Sequence, residues 1–141
     1  MPTRTAKAEW IGDLRTGKGS MHPASKAFTA TYCLDSIMGD TEESNPIEVL
    51  ATSIAGCLCG ALAAALSAAG HQPHSIETTA NVQVERAEGV HSITTITLQV
   101  RADIPGIDPE TLRQITERAA QTCPVGKALS SVELVLETEL V

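Results

Sequence analysis

The sequence predicts an α+β fold, with an antiparallel sheet set around one long buried central helix. Three features predict it. Strand-like alternation runs through Ile76–Val84 and again through Ile96–Ala102. A charge-free stretch of 21 residues, Val49–Ala69, lies between strand-like segments. Links of hairpin length join the strands, which favours antiparallel pairing.

From Ala6 to Trp10, small or apolar residues alternate with Lys7 and Glu9, giving a first strand. Gly12, Gly17 and Gly19 mark turns. Phe28, Ala30, Tyr32 and Leu34 alternate with polar or small residues, so a further strand is expected, with Cys33 on the face opposite Phe28 and Tyr32. The acidic loop from Gly39 ends in a helix start: Asn45 at the N-cap, Pro46 at the first helical position, Glu48 three residues after the cap. That helix can run to Gly70, about 24 residues or about 36 Å at the α-helical rise. Leu50, Ile54, Leu58, Leu62 and Leu66 form its stripe, and alanines widen the stripe until nearly every side is apolar. A helix of this kind needs cover on nearly every side, which puts it at the centre of the fold.

Beyond the helix, Ile76, Thr78, Ala80, Val82 and Val84 alternate with polar residues as a half-buried strand, and Gly89 turns the chain into the next one. There Ile96, Leu98, Val100 and Ala102 face inward. Ile93 is out of phase with them, and a bulge near Thr94 accounts for the slip. After a turn around Pro105 and Gly106, Asp108 caps a helix that has Pro109 at its first position and Leu112, Ile115 and Ala119 on one face. Cys123 closes that face. Pro124 forces a new start, and a short helix runs through Ala128. Val132, Leu134, Leu136 and Leu140 make the last strand. No repeat or linker interrupts the chain, so residues 1–141 are read as a single domain.

Composition narrows the function. Hydrophobic residues make up 43% of the 141, so a folded core is expected. Trp10, Phe28 and Tyr32 are the only aromatics, and an alanine-rich core buries little area per residue; dimerisation would add burial. A net charge of −7 with only ten scattered Lys and Arg excludes a phosphate-binding surface, and so nucleic acid. The N-terminus has no apolar run of a secretory signal. Val49–Ala69 is long enough to span a bilayer, but it is rich in Ala, Ser, Thr and Gly and flanked by alternating strands, so a buried soluble helix is favoured. The chain is read as cytoplasmic, with no membrane partner, and its four cysteines as thiols.

Cys57 sits mid-helix between Gly56 and Gly60, each costing about 1 kcal/mol of helix propensity relative to Ala, which suggests close packing or access to the thiol. Taken alone, Cys57 and Cys59 read as small core residues. Two positions apart on a helix they point roughly 200° from each other, so they cannot share a metal ion. His22, His71, His74 and His91 show no ligand spacing and are read as solvated; no metal or cofactor is expected. Cys123 stands at a helix junction, where the N–H groups of the following turn can stabilise a thiolate.

Taken together, Ser44-Asn45-Pro46, Ala55-Gly56-Cys57 and Cys123-Pro124-Val125 resemble the OsmC/Ohr family. The likeness continues, in order, through Gly12-Asp13, Gly17-Lys18-Gly19, the strand Ser75–Ala80 and the segment Val100–Asp108. It implies an intertwined homodimer with the long helices at its centre and two active sites at the interface. It also implies a peroxidase for oxidative stress defence, acting on small organic hydroperoxides. By motif, Cys57 attacks the peroxide and becomes a sulfenic acid, Cys123 condenses with it to a disulfide, and a dithiol restores both.

The sequence departs from the family at two places. Where the family has a glutamate directly after Asn-Pro, this chain has Ile47, with Glu48 one step on and about 100° around the helix. Glu48 completes a capping box with Asn45, a reading placed ahead of a catalytic one, although some OsmC-like branches carry the acid at this later position. The strand around Tyr32 lacks the arginine that OsmC proteins use there. Arg15 is the nearest candidate, as a solvated turn residue or as the cation of the site. These departures keep two alternatives open: a redox-sensing or binding module on the same fold, and a structural dimer with inert cysteines. If the pair acts together, Cys57 and Cys123 must meet although they lie 66 positions apart, with Cys33 and Cys59 elsewhere.

Overall fold

The computed structural model describes residues 2–39 and 41–141; Met1, and Asp40 of the acidic loop, lie outside them. The backbone groups into two compact units, one running to Val49 and the other Leu50–Val141.

In the first unit β1 (Ala6–Ile11), β2 (Lys18–Pro23) and β3 (Ala30–Tyr32) form an antiparallel sheet in that order, followed by the short helix α1 (Leu34–Met38). The β1–β2 turn needs its glycines. Gly12 has φ +97°, and a Cβ on Gly17 would collide with the Asp13 carbonyl and stand 2.9 Å from Trp10 Nε1. Gly19 is not a turn residue, as the sequence suggested, but the second residue of β2. It pairs with Trp10 on one side and Tyr32 on the other, and the Tyr32 ring occupies the space a Cβ would need. Trp10 and Tyr32 pack with ring centroids 5.7 Å apart. The strand expected over Phe28–Leu34 is only three residues long. Phe28 is 51% exposed, Leu34 opens α1, and Cys33 is the N-cap of α1 rather than a strand residue. Ser36 explains the early stop, because its hydroxyl accepts from the Cys33 N–H at 2.8 Å and turns the chain into the helix.

The long helix α2 spans Pro46–Ala68. Asn45 Oδ1 accepts from the Glu48 N–H at 2.9 Å, and Gly70, at φ +85°, ends the helix as the His71 N–H returns to the Leu66 carbonyl. In the second unit β4 (Ser75–Ala87), β5 (Val90–Asp103) and β6 (Glu133–Leu140) form a sheet, with α3 (Pro109–Thr122) and α4 (Pro124–Ala128) between the last two strands. Glu88 and Gly89 both have positive φ and close the β4–β5 hairpin. The register slips between Gln83 and Val84, where Thr95 and Ile93 are the partners, so Thr94 is the extra residue of a bulge. Its hydroxyl is buried without a hydrogen-bond partner among the described residues.

One sheet expectation is corrected. β6 runs parallel to β5, with Thr95 opposite Glu133 and Ala102 opposite Leu140. The link between them is not a hairpin but the α3–α4 crossover, which returns the chain to the start of β5. The core joins Ile54, Leu58, Leu62 and Leu66 of α2 to Ile96, Leu98, Val100 and Ala102 of β5 and to Leu112, Ala119 and Ala120 of α3. Asp108 caps α3, accepting from the Thr111 N–H and hydroxyl at 2.8 Å each, and these bonds hold its carboxyl below the usual carboxylate range. Leu62 is fully buried, so Leu62→Ala should destabilise the fold by about 2–5 kcal/mol, read as a lower urea midpoint at unchanged slope.

Burial of α2 within the chain is one-sided. Four of its 23 residues are buried, and a Cβ on Gly56 or Gly60 would find nothing within 4 Å. Among the described residues nothing packs against the face that carries Gly56 and Gly60.

Candidate active site

The second unit brings two thiols together. Cys57 is half-buried in the middle of α2. Cys123 is 2% exposed at the junction where α3 ends and α4 begins. Both are free thiols, near enough to each other that Cys57 affects the acidity of Cys123. The junction forms because Pro124 cannot continue α3 and instead starts α4, leaving Cys123 extended at φ −65°, ψ 140°. Cys123 serves both helices: its N–H donates to the Ala119 carbonyl at 2.9 Å, and its sulfur accepts from the Gly126 N–H at 3.3 Å as the cap of α4. The Sγ also lies 3.8 Å from the Ala120 carbonyl oxygen, to which a protonated thiol can donate.

Sequence reasoning expected the N–H groups of α4 to favour a thiolate at Cys123. The structure reverses the balance. Burial pushes the Cys123 thiol up, the Gly126 N–H pulls it down, and the Cys57 thiol beside it pushes it up again. The net effect is a Cys123 thiol less acidic than an ordinary cysteine.

The other cysteines have different surroundings. Cys59 Sγ lies 3.2 Å from Thr78 Oγ1 and 3.7 Å from the Ile76 carbonyl oxygen, so it ties α2 to β4 as a packing residue. In the first unit, Cys33 Sγ donates to Glu43 Oε2 at 3.2 Å. Glu48 stands in the first turn of α2. Arg15 is exposed in the β1–β2 turn, where its N–H donates to Asp13 Oδ1 at 2.9 Å. Two of the histidines have polar neighbours: His22 contacts Thr29 and Ser20 hydroxyls at 3.3 and 3.0 Å, and the exposed His74 lies 3.5 Å from Asp103. Among the described residues no group of three or more His, Cys, Asp or Glu could hold a metal ion. Sequence reasoning missed Gly126. A Cβ there would collide with the Ala120 carbonyl and stand 2.9 Å from the Cys123 sulfur; the glycine in Cys-Pro-Val-Gly was the available signal.

Two kinds of likeness bear on this site. The family described as OsmC-like protein matches residues 39–138, a span that contains both thiols. The chain is 32% identical over 138 residues to Peroxiredoxin OsmC of Escherichia coli, covering 97% of this chain and 96% of that one. Among solved structures it is similar to the organic hydroperoxide resistance protein OhrB of Bacillus subtilis, with a TM-score of 0.75, 24% identity, and 96% and 98% of the two chains covered. An organic hydroperoxide resistance protein from Elizabethkingia anophelis gives a TM-score of 0.77 at 21% identity over 99% of each chain. At these identities the solved structures establish the shared fold.

Proposed function

Because the chain belongs to the OsmC-like protein family, we propose that it is a cytoplasmic thiol peroxidase that reduces small organic hydroperoxides through Cys57 and Cys123 in oxidative stress defence. The observation that supports this most is the proximity of two free thiols from positions 66 residues apart, close enough that one affects the acidity of the other. The relatives named as a peroxiredoxin and as hydroperoxide resistance proteins supply the substrate class.

The roles follow from the surroundings of each sulfur. Cys57 is the more exposed and attacks the terminal peroxide oxygen as a thiolate. The O–O bond breaks, the alcohol leaves, and Cys57 carries the oxygen as a sulfenic acid. Cys123, whose thiol lies near Cys57, displaces that oxygen as water and closes a disulfide. A dithiol then supplies two electrons and restores both thiols. Arg15 is the candidate for the cation that holds the thiolate and the peroxide, and Glu48 for the supporting acid. Two copies of the chain form the working unit, α2 against α2. Thiols that must be reduced at rest suit a cytoplasmic setting.

A second reading, a redox-sensing or binding module with little turnover, draws support from Ile47 and from the arginine-free strand β3. A pulse of one equivalent of an alkyl hydroperoxide, followed by acid quench and mass mapping, separates the readings. The peroxidase should show a Cys57–Cys123 disulfide within seconds and repeated alcohol formation when a dithiol is present. A protein that forms the disulfide but does not turn over would be a sensor, and one with unmodified cysteines would be neither.

A further inference from the structure

We infer that reduction of the Cys57–Cys123 disulfide proceeds by attack at the Cys57 sulfur, with Cys123 leaving as a thiolate into the backbone N–H of Gly126. This rests on the two-cysteine reading above. It adds which sulfur the reductant meets, and a catalytic group that carries no side chain.

Two observations carry it. The first is access: Cys57 is half-buried, whereas Cys123 is 2% exposed and enclosed by the α3–α4 junction. A thiolate from solution can reach only the former. The second is the seat of the leaving sulfur. The Gly126 N–H already points at Cys123 Sγ from 3.3 Å, and the turn closes this tightly only because residue 126 has no Cβ. In thiol–disulfide exchange the rate depends on which sulfur is accessible and on how well the departing sulfur bears charge. A charged acceptor gains more from an N–H than a neutral one does, so this bond is stronger to the departing thiolate than to the disulfide.

The step balances. A dithiol in its mono-thiolate form attacks Cys57 Sγ. The Cys57–Cys123 bond breaks, a mixed disulfide forms on Cys57, and the electron pair leaves on Cys123. The second thiol of the reductant, deprotonated in turn, closes the reductant's own disulfide and releases Cys57 as a thiolate. Cys123 recovers a proton from solvent and returns to donating toward the Ala120 carbonyl.

The experiment oxidises the protein with diamide, exposes it briefly to 2-mercaptoethanol, quenches with acid, and alkylates the freed thiol before peptide mapping. The mercaptoethanol adduct is expected on Cys57 and the alkyl group on Cys123; the reverse distribution overturns the inference while leaving the two-cysteine reading intact. If no Cys57–Cys123 disulfide forms, both fail together. Gly126→Ala should slow reduction of the disulfide about tenfold, with the mercaptoethanol adduct still on Cys57. An unchanged reduction rate removes Gly126 from the mechanism. Should that variant not fold, the wild-type Gly126 amide resonance decides: it should shift between disulfide and dithiol forms, and a constant resonance overturns its role.

Discussion

Replacing Cys57 with serine is expected to end hydroperoxide consumption, a loss of at least about a thousandfold, because a hydroxyl at neutral pH is not a nucleophile toward the O–O bond. Replacing Cys123 should have a different signature. The first turnover proceeds, since the attacking thiol is intact, but the sulfenic acid on Cys57 then has no partner. It persists, or climbs to the sulfinic acid with excess peroxide. The contrast follows from the placement of the two sulfurs, one half-buried and one sealed at a helix junction near it. Cys59→Ser is the internal control. Its thiol is engaged by Thr78 at 3.2 Å, and a serine can keep that bond, so activity should stay within about twofold. Peroxide consumption by each variant, with the oxidation state of Cys57 read by mass, checks all three. A dead Cys59→Ser beside an active Cys57→Ser would show the roles to be misassigned.

What could be read from sequence followed from signals that are local. The bulge at Thr94 was legible because a single out-of-phase residue, Ile93, marks where the period of two breaks. The start of α2 was legible because Asn45, Pro46 and Glu48 each have a distinct steric or hydrogen-bonding role at a helix N-terminus. Strand direction was not legible. Alternation in Leu134, Leu136 and Leu140 shows which face is buried but is the same read either way, and β6 proved parallel to β5. β2 was missed because Lys18–Pro23 holds a glycine and no apolar alternation; it is a strand through its neighbours, with the Tyr32 ring filling the space above Gly19. At the candidate site, both cysteines were singled out through their flanking residues. The reversal of acidity at Cys123 could not be, since it depends on burial and on a thiol far away in sequence.

The largest structural prediction concerns α2, and its sign tests what covers the helix. Over its most apolar 18-residue window α2 has a mean hydropathy of 2.1, enough by length and composition alone to cross a bilayer. Yet only Ile54, Leu58, Leu62 and Leu66 are buried, on the one face turned to the core. The open face carries Ser53, Gly56, Gly60 and Ala64, residues small enough to let a second helix approach closely. If a second copy covers that face, the native protein is an obligate dimer, and its thermal midpoint rises with protein concentration. Gly60→Leu then overpacks the interface, at a cost of about 1–3 kcal/mol per site, and drives the protein toward monomer or aggregate. If the face is instead bare in solution, the same substitution meets no neighbour within 4 Å and exchanges glycine for a good helix former, a gain of about 1 kcal/mol. Light scattering and thermal unfolding of the two proteins side by side discriminate the cases. A wild-type dimer with a destabilised Gly60→Leu variant is the expected result. A stable wild-type monomer at micromolar concentration, with Gly60→Leu more stable still, would refute it.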